Sequence, residues 1–238
     1  MDAFLVRLAT ALFDGFWVTL FLLVTSGIAG NLAAIGVALA RTSRRIWLSA
    51  PATGFILAIR GTPLIVQMFL IYYGLGQFRA VRASILWPIL RDPTWCAFLA
   101  LTISTAAYSG EVIRGAIQQV PAGQVQAGEA LGLSRWQIRR LVVLPLALRQ
   151  VVPVLANETV LLLKASAIVF TITVKDIMGE ANIIRAQTFR VYEPLLAAAI
   201  LYLALTFAIR RLFAIVEKRS RRHLDPPAAT AKGAVPAG

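Results

Sequence analysis

A chain of 238 residues with 58% hydrophobic and only 15% charged residues, at a mean hydropathy of +0.74, is not a soluble domain, which would carry about 25% charged residues. The net charge of +13 would suggest nucleic acid in a soluble protein, but here the positive residues flank apolar stretches, the pattern of membrane topology, so nucleic acid is not an expected partner. The single cysteine, Cys96, excludes an internal disulfide.

Residues 1–14 read as a short amphipathic lead with Phe4, Leu5, Leu8 and Leu12 on one side, and they lack the basic start of a signal peptide. A first membrane span is expected at about residues 16–40, long enough for a bilayer. It ends in Arg41, Arg44 and Arg45, which place that end in the cytoplasm and the N-terminus outside. The second span, about 52–76, contains Arg60-Gly61-Thr62-Pro63, so its helix must break or kink there. Arg60 itself reads as a snorkelling or backbone-pairing residue at that bend. Residues 77–94 form an outer loop, with Trp87-Pro88 and Asp92-Pro93 as turn signals.

The third span, about 95–118, carries Ser104, Tyr108 and Glu111 at helical spacing, a polar stripe on one face. Arg114 stands one turn beyond Glu111, so the two charges can neutralise each other. A polar, basic interruption follows at residues 121–148. It is too polar to cross a bilayer and too patterned for a slack loop. Ala127, Ala130 and Leu131 keep helical spacing, Gly132 breaks it, and Ser134 is placed to cap a second helix. In that second helix Trp136, Ile138, Leu141 and Val142 form an apolar side, with Arg135, Arg139 and Arg140 on the polar side. Two short helices along the membrane surface, bent at Gly132, could seat in a groove on a soluble partner or simply lie in the interface.

The fourth span, about 151–174, includes Asn157, Glu158 and Lys164. A charge at mid-bilayer costs about 2.5–3.5 kcal/mol on insertion scales and therefore faces a cavity or a partner. The fifth span, about 192–216, ends in a basic cluster from Arg210 to Arg222, and the Pro- and Ala-containing tail, 223–238, reads as disordered. This gives an all-α integral membrane protein of five transmembrane helices, one membrane domain over 1–222 with its C-terminus in the cytoplasm. Fourteen Lys and Arg then fall inside and seven outside, the bias the positive-inside rule requires.

The order Gln126-Ala127-Gly128, Gly132, then Val142-Val143-Leu144-Pro145 resembles the coupling loop of the permease subunits of bacterial ABC importers. In that pattern position 126 is an acid and position 128 an alanine, so this chain departs at two letters. The strings RGTPLIVQMFLIYYGLG, AYSGEVIRGAIQQVPAGQ and NETVLLLKASAIVFTITVKDIMG extend the resemblance to the histidine, lysine, arginine, ornithine and opine permeases. The resemblance implies the five-helix permease fold in the bacterial inner membrane. It also implies two permease chains, identical or paralogous, two ATPase subunits that use ATP and Mg, and a periplasmic amino acid-binding protein. Gln126, Ala127, Gly128, Gly132, Leu144 and Pro145 would contact the ATPase.

The chain has no G-x-x-x-x-G-K-[ST] phosphate loop, and its lone histidine, His223, lies in the tail. No catalytic site, cofactor or metal site of its own is therefore expected. For a cationic substrate the expected site is Glu158 with Asn157, walled by Ser104 and Tyr108; relatives that carry neutral polar substrates tend to have Gln in place of Glu158. The bland alternative for Glu158 is a helix-pinning pair with Lys164 or Arg60. The alternative functions are import of neutral or acidic polar amino acids, such as glutamine or glutamate, or a non-ABC membrane transporter.

Overall fold

A 40-residue helix, α1 (Asp2–Arg41), opens the chain in a computed structural model that describes residues 2–221. At 1.5 Å per residue it is about twice as long as the hydrocarbon core is thick. The lead expected at 1–14 and the span expected at 16–40 are thus one helix. No proline precedes Pro51, and Leu8 and Leu12 are buried on the same stripe as Leu22 and Leu23, so nothing interrupts the turn at Gly15.

The second segment breaks as expected, and sharply. Helix α2 (Ile46–Gly61) and helix α3 (Leu64–Phe69), the latter continued by a π-helical turn and a 3₁₀ turn to Gln77, meet at 105°. Pro63 has no N–H to give and forces the residue before it out of the helical region: Thr62 is extended at φ −116°, ψ 143°. The expected outer loop holds two single turns, α4 (Arg79–Arg82) and α5 (Trp87–Leu90). Helix α6 (Pro93–Gln118) starts on the carboxylate of Asp92, which accepts from the N–H groups of Thr94 at 2.7 Å and Trp95 at 3.4 Å.

The coupling region is more helical than the sequence suggests. Helix α7 (Ala122–Ala130) is followed by a bend and then α8 (Arg135–Ile138). A π-helical turn, Arg139–Val143, joins α8 without a break to α9 (Leu144–Ser166). Pro145 cannot donate to the carbonyl one turn back, and the helix widens there instead of ending. The stretch expected as the fourth span ends its helix at Ser166, then turns through a short 3₁₀ segment to Thr173 at φ 70°. Helix α10 (Ile177–Thr188) lies between the stretches expected as the fourth and fifth spans, where no element is expected. Its Ile177, Ala181 and Ile184 recur at helical spacing and are buried. Helix α11 (Tyr192–Arg221) completes the described chain; the tail from residue 223 lies outside the described residues.

Helix α6 is the centre of the packing, flanked by α1 and α9, with α11 against α9 and α10 between α1 and α11. The small buried residues Ala97, Ala100, Ala107 and Gly110 let the neighbours of α6 approach closely. A Cβ on Gly30 of α1 would stand 2.5 Å from Thr105 Cβ. No β-strand occurs among the described residues. Three helical stretches are long and apolar enough to cross a bilayer, Ala3–Arg41, Pro93–Gln118 and Tyr192–Lys218, and the bent α2–α3 pair qualifies as a fourth if it is one span. Helix α9, interrupted by Asn157, Glu158 and Lys164, falls outside that set, so apolarity alone does not give the expected five.

Candidate substrate cavity and coupling bend

The break between α2 and α3 is held by one side chain. Pro63 leaves the Ile59 carbonyl without its usual i+4 donor. Gln67 Nε2 replaces that donor, giving to Ile59 O at 2.8 Å, and also reaches Thr62 O at 3.1 Å and Thr62 Oγ1 at 2.9 Å. Thr62 Oγ1 in turn donates to Ala58 O at 2.7 Å. The bend is therefore an ordered, hydrogen-bonded structure.

That bend forms one wall of a cavity of about 260 Å³ between α2, α3, α6 and α9. Its apolar lining comes mainly from Ile59, Leu64, Leu161 and Leu162, and its polar lining from Thr62, Gln67, Ser104, Thr105, Tyr108, Ser109 and Glu158. Three of the four expected substrate residues, Ser104, Tyr108 and Glu158, are thus brought together. The fourth, Asn157, is exposed and stands outside the lining, because one residue's step along α9 turns it about 100° away. Lys164 is exposed on the same side as Asn157.

Glu158 is half-buried. Neither Lys164 nor Arg60 forms an ion pair with it within 4.0 Å, whereas Glu111 pairs with Arg114 and Glu193 with Arg190. Instead, the Arg60 guanidinium stacks on the ring of Tyr108, which lines the same cavity as Glu158, 5.1 Å from the centroid. Gln67, Thr105 and Ser109 also line the cavity, beyond the four expected residues. Gln67 could have been found as the side chain one turn after a helix-breaking proline; Thr105 and Ser109 neighbour Ser104 and Tyr108 on α6, and only the packing shows that they share the wall.

One turn inward on α6, Glu111 and Arg114 are paired as expected. Arg114 Nε and Nη2 both donate to Glu111 Oε1, at 2.9 and 2.5 Å, and Arg114 Nη1 donates to Gln118 Oε1 at 2.6 Å.

The coupling bend has the expected geometry at its two key residues. Gly132 is left-handed at φ 73°, a region that favours glycine. Ser134 caps α8 in a reciprocal box: its Oγ accepts from Gln137 N at 3.3 Å, and Gln137 Oε1 accepts from Ser134 N at 2.8 Å. Gly128 is buried against Ile138, whereas Gln126, Ala127 and Pro145 are exposed and Leu144 is partly buried. The apolar side expected for α8 is split. Ile138 packs inward, Val142 is partly buried, and Trp136 and Leu141 are 63% and 60% exposed; Leu131, at the bend before α8, is 80% exposed.

A break clamped beside a polar cavity and a glycine bend leading into a long membrane helix agree with the match over residues 30–222 to the family described as binding-protein-dependent transport system inner membrane component. The chain belongs to that family. It is 44% identical over 215 residues, 90% of this chain and 88% of the relative, to the octopine transport system permease protein OccM of Rhizobium radiobacter. It is 36% identical, covering 90% of each chain, to the histidine/lysine/arginine/ornithine transport system permease protein HisM of Escherichia coli strain K12. Among solved structures it superposes at a TM-score of 0.79, with 34% identity over 90% of this chain and 96% of the other, on a chain of an amino acid ABC transporter crystallised with histidines. This inner membrane component is accordingly an ABC transporter permease, a transport subunit with the permease fold.

Proposed function

We propose that this permease imports cationic amino acids or opines. The observation that carries the proposal is Glu158: a carboxylate in a hydroxyl-rich cavity, with no ion pair among the described residues. An unpaired carboxylate at membrane depth calls for a cation, and an amino acid with a guanidinium or ammonium side chain supplies one. Ser104, Thr105 and Tyr108 can bond the rest of such a ligand. Octopine and histidine, lysine, arginine and ornithine are the ligands in the names of the relatives, which supports the basic class over glutamine or glutamate.

In the proposed assembly, α1, the α2–α3 pair, α6, α9 and α11 are five spans in the bacterial inner membrane, with the N-terminus periplasmic and the C-terminus cytoplasmic. Charged α9 is tolerated because it faces the pathway between this chain and a second permease chain. Two ATPase subunits bind the α7–α8 bend and hydrolyse ATP with Mg. A periplasmic binding protein delivers the ligand. ATP-driven closure of the ATPases pulls the bends together and shifts the spans from inward-open to outward-open.

The test is Glu158→Gln, with uptake of arginine and of a neutral amino acid measured in proteoliposomes containing the native partners. Selective loss of arginine uptake with the complex still assembled supports the site. Unchanged arginine uptake would make Glu158 structural.

A further inference from the structure

A second cavity, of about 420 Å³, lies on the other side of the Arg60–Tyr108 stack. Its charged lining is Arg41, Arg60 and Glu111. Arg60 therefore stands between two carboxylates. It stacks on Tyr108, which lines the first cavity together with Glu158, and it lines the second cavity together with Glu111. Arg60 forms an ion pair with neither acid.

Glu111 is only half satisfied. Both hydrogen bonds from Arg114 go to Oε1. Oε2 is buried and has no hydrogen-bond partner. A buried carboxylate oxygen left bare is costly, and Glu111 and Arg60 line the same cavity. The contact of Arg60 with the Tyr108 ring is a weak resting place, worth about 0.5–1 kcal/mol at a partly exposed site. Arg41 also lines the second cavity, but it does not stack on Tyr108 and has no place in the lining of the first.

We propose that Arg60 is a resident cation shared between the two acids, displaced by the incoming ligand. With the first cavity empty, Arg60 stays on Tyr108 and partly balances Glu158. When a cationic side chain reaches Glu158, like-charge repulsion moves Arg60 across the second cavity toward the half-satisfied Glu111 carboxylate. Arg60 is then a specificity-determining residue that competes with cationic ligands and not with neutral ones. The displacement would also reinforce the inner end of α6, which leads directly into the coupling helix α7. This rests on the reading of Glu158 as the ligand's cation site.

The experiment compares arginine with citrulline, its neutral isostere, as substrates of the reconstituted importer with its native partners. The readout is the ratio of their KM values, citrulline over arginine. Arg60→Gln removes the competitor and should raise the ratio roughly two- to five-fold, the scale of a partly exposed ion pair. Glu111→Gln can still accept from Arg114 but offers Arg60 no charge, and should lower the ratio. General damage to the fold would move both variants the same way. Arg60→Lys, which keeps the charge, should leave the ratio near wild type and stands in if Arg60→Gln does not assemble: a rise for Arg60→Lys equal to that expected for Arg60→Gln would overturn the competition. An unchanged ratio in Arg60→Gln, while Glu158→Gln abolishes the preference for arginine, overturns this proposal alone. A preference that survives Glu158→Gln overturns the cation-site reading, and with it the competition.

Discussion

Gly128 and Ile138 face each other across the coupling bend, so closely that a Cβ on Gly128 would stand 3.1 Å from Ile138 Cγ1. The contact joins α7 to α8 and sets how tightly the bend closes. The crowding atom belongs to a side chain that can shift by a few tenths of an ångström. Gly128→Ala is therefore expected to be near neutral, with the gain in helix propensity of about 0.5–1 kcal/mol offsetting the squeeze. Gly128→Leu should force the two helices apart and abolish ligand-stimulated ATP hydrolysis by the assembled complex. Full stimulation in Gly128→Leu would show that closure of the bend is irrelevant to coupling.

Gly132 needs its glycine for a different reason. Nothing lies within 4 Å of where its Cβ would be, so the constraint is the positive φ alone. A non-glycine residue there costs about 1–2 kcal/mol, less for Asn. Gly132→Asn should retain most ligand-stimulated ATPase activity, and Gly132→Leu should lose it while the protein still inserts in the membrane. Equal activity of the two variants, measured on the purified complex, would remove the conformational explanation.

These two glycines also show what a sequence reveals. Gly132 and the Ser134 cap were legible because turn and capping chemistry are local. So were the break at Pro63 and the Glu111–Arg114 pair. The tight contact of Gly128 with Ile138 was not, because it depends on how two helices fold back on one another. Helix α10 was missed because it is too short and polar for a span, and its signal is spread over Asp176, Ile177, Ala181 and Ile184. Asn157 was misplaced relative to Glu158 because helical periodicity gives the angle between neighbours and not which of them faces the cavity.

The clamp at the α2–α3 break predicts a specific loss. Gln67→Leu leaves the Ile59 carbonyl without its donor, at a cost of about 1–3 kcal/mol if that group stays dry. The purified complex should melt several degrees lower, and arginine uptake should fall because the same segment walls the cavity. Gln67→Glu supplies no N–H and should behave similarly. A Gln67→Leu complex with wild-type melting and uptake would mean that water replaces the amide.

The proposed orientation is checked with thiol labelling. Cys96 is fully buried and needs no replacement. Ala83 and Ser134 are both exposed, on opposite sides of the proposed membrane. In intact spheroplasts Ala83→Cys should react with an impermeant maleimide, and Ser134→Cys should react only after lysis. The reverse pattern would invert the protein in the membrane.

The closest helix contact beside the cavity should be coupled to transport. On α1, a Cβ at Gly30 would meet Thr105 Cβ at 2.5 Å and Thr105 Cγ2 at 2.7 Å, with the carbonyl of Thr102 at 3.0 Å behind them. Real Cβ atoms do not approach this closely, so Gly30→Ala must push α6 away, and Thr105 lies in the lining of the cavity that holds Glu158. The variant should lower both the melting temperature of the complex and its arginine uptake. Thr105→Gly removes the opposing Cβ. In the double variant the two changes should be strongly non-additive, since contacting residues couple by about 0.5–3 kcal/mol: Gly30→Ala should cost far less stability on the Thr105→Gly background than alone. Strict additivity of the melting shifts would show that α1 and α6 do not meet at this pair in the assembled importer.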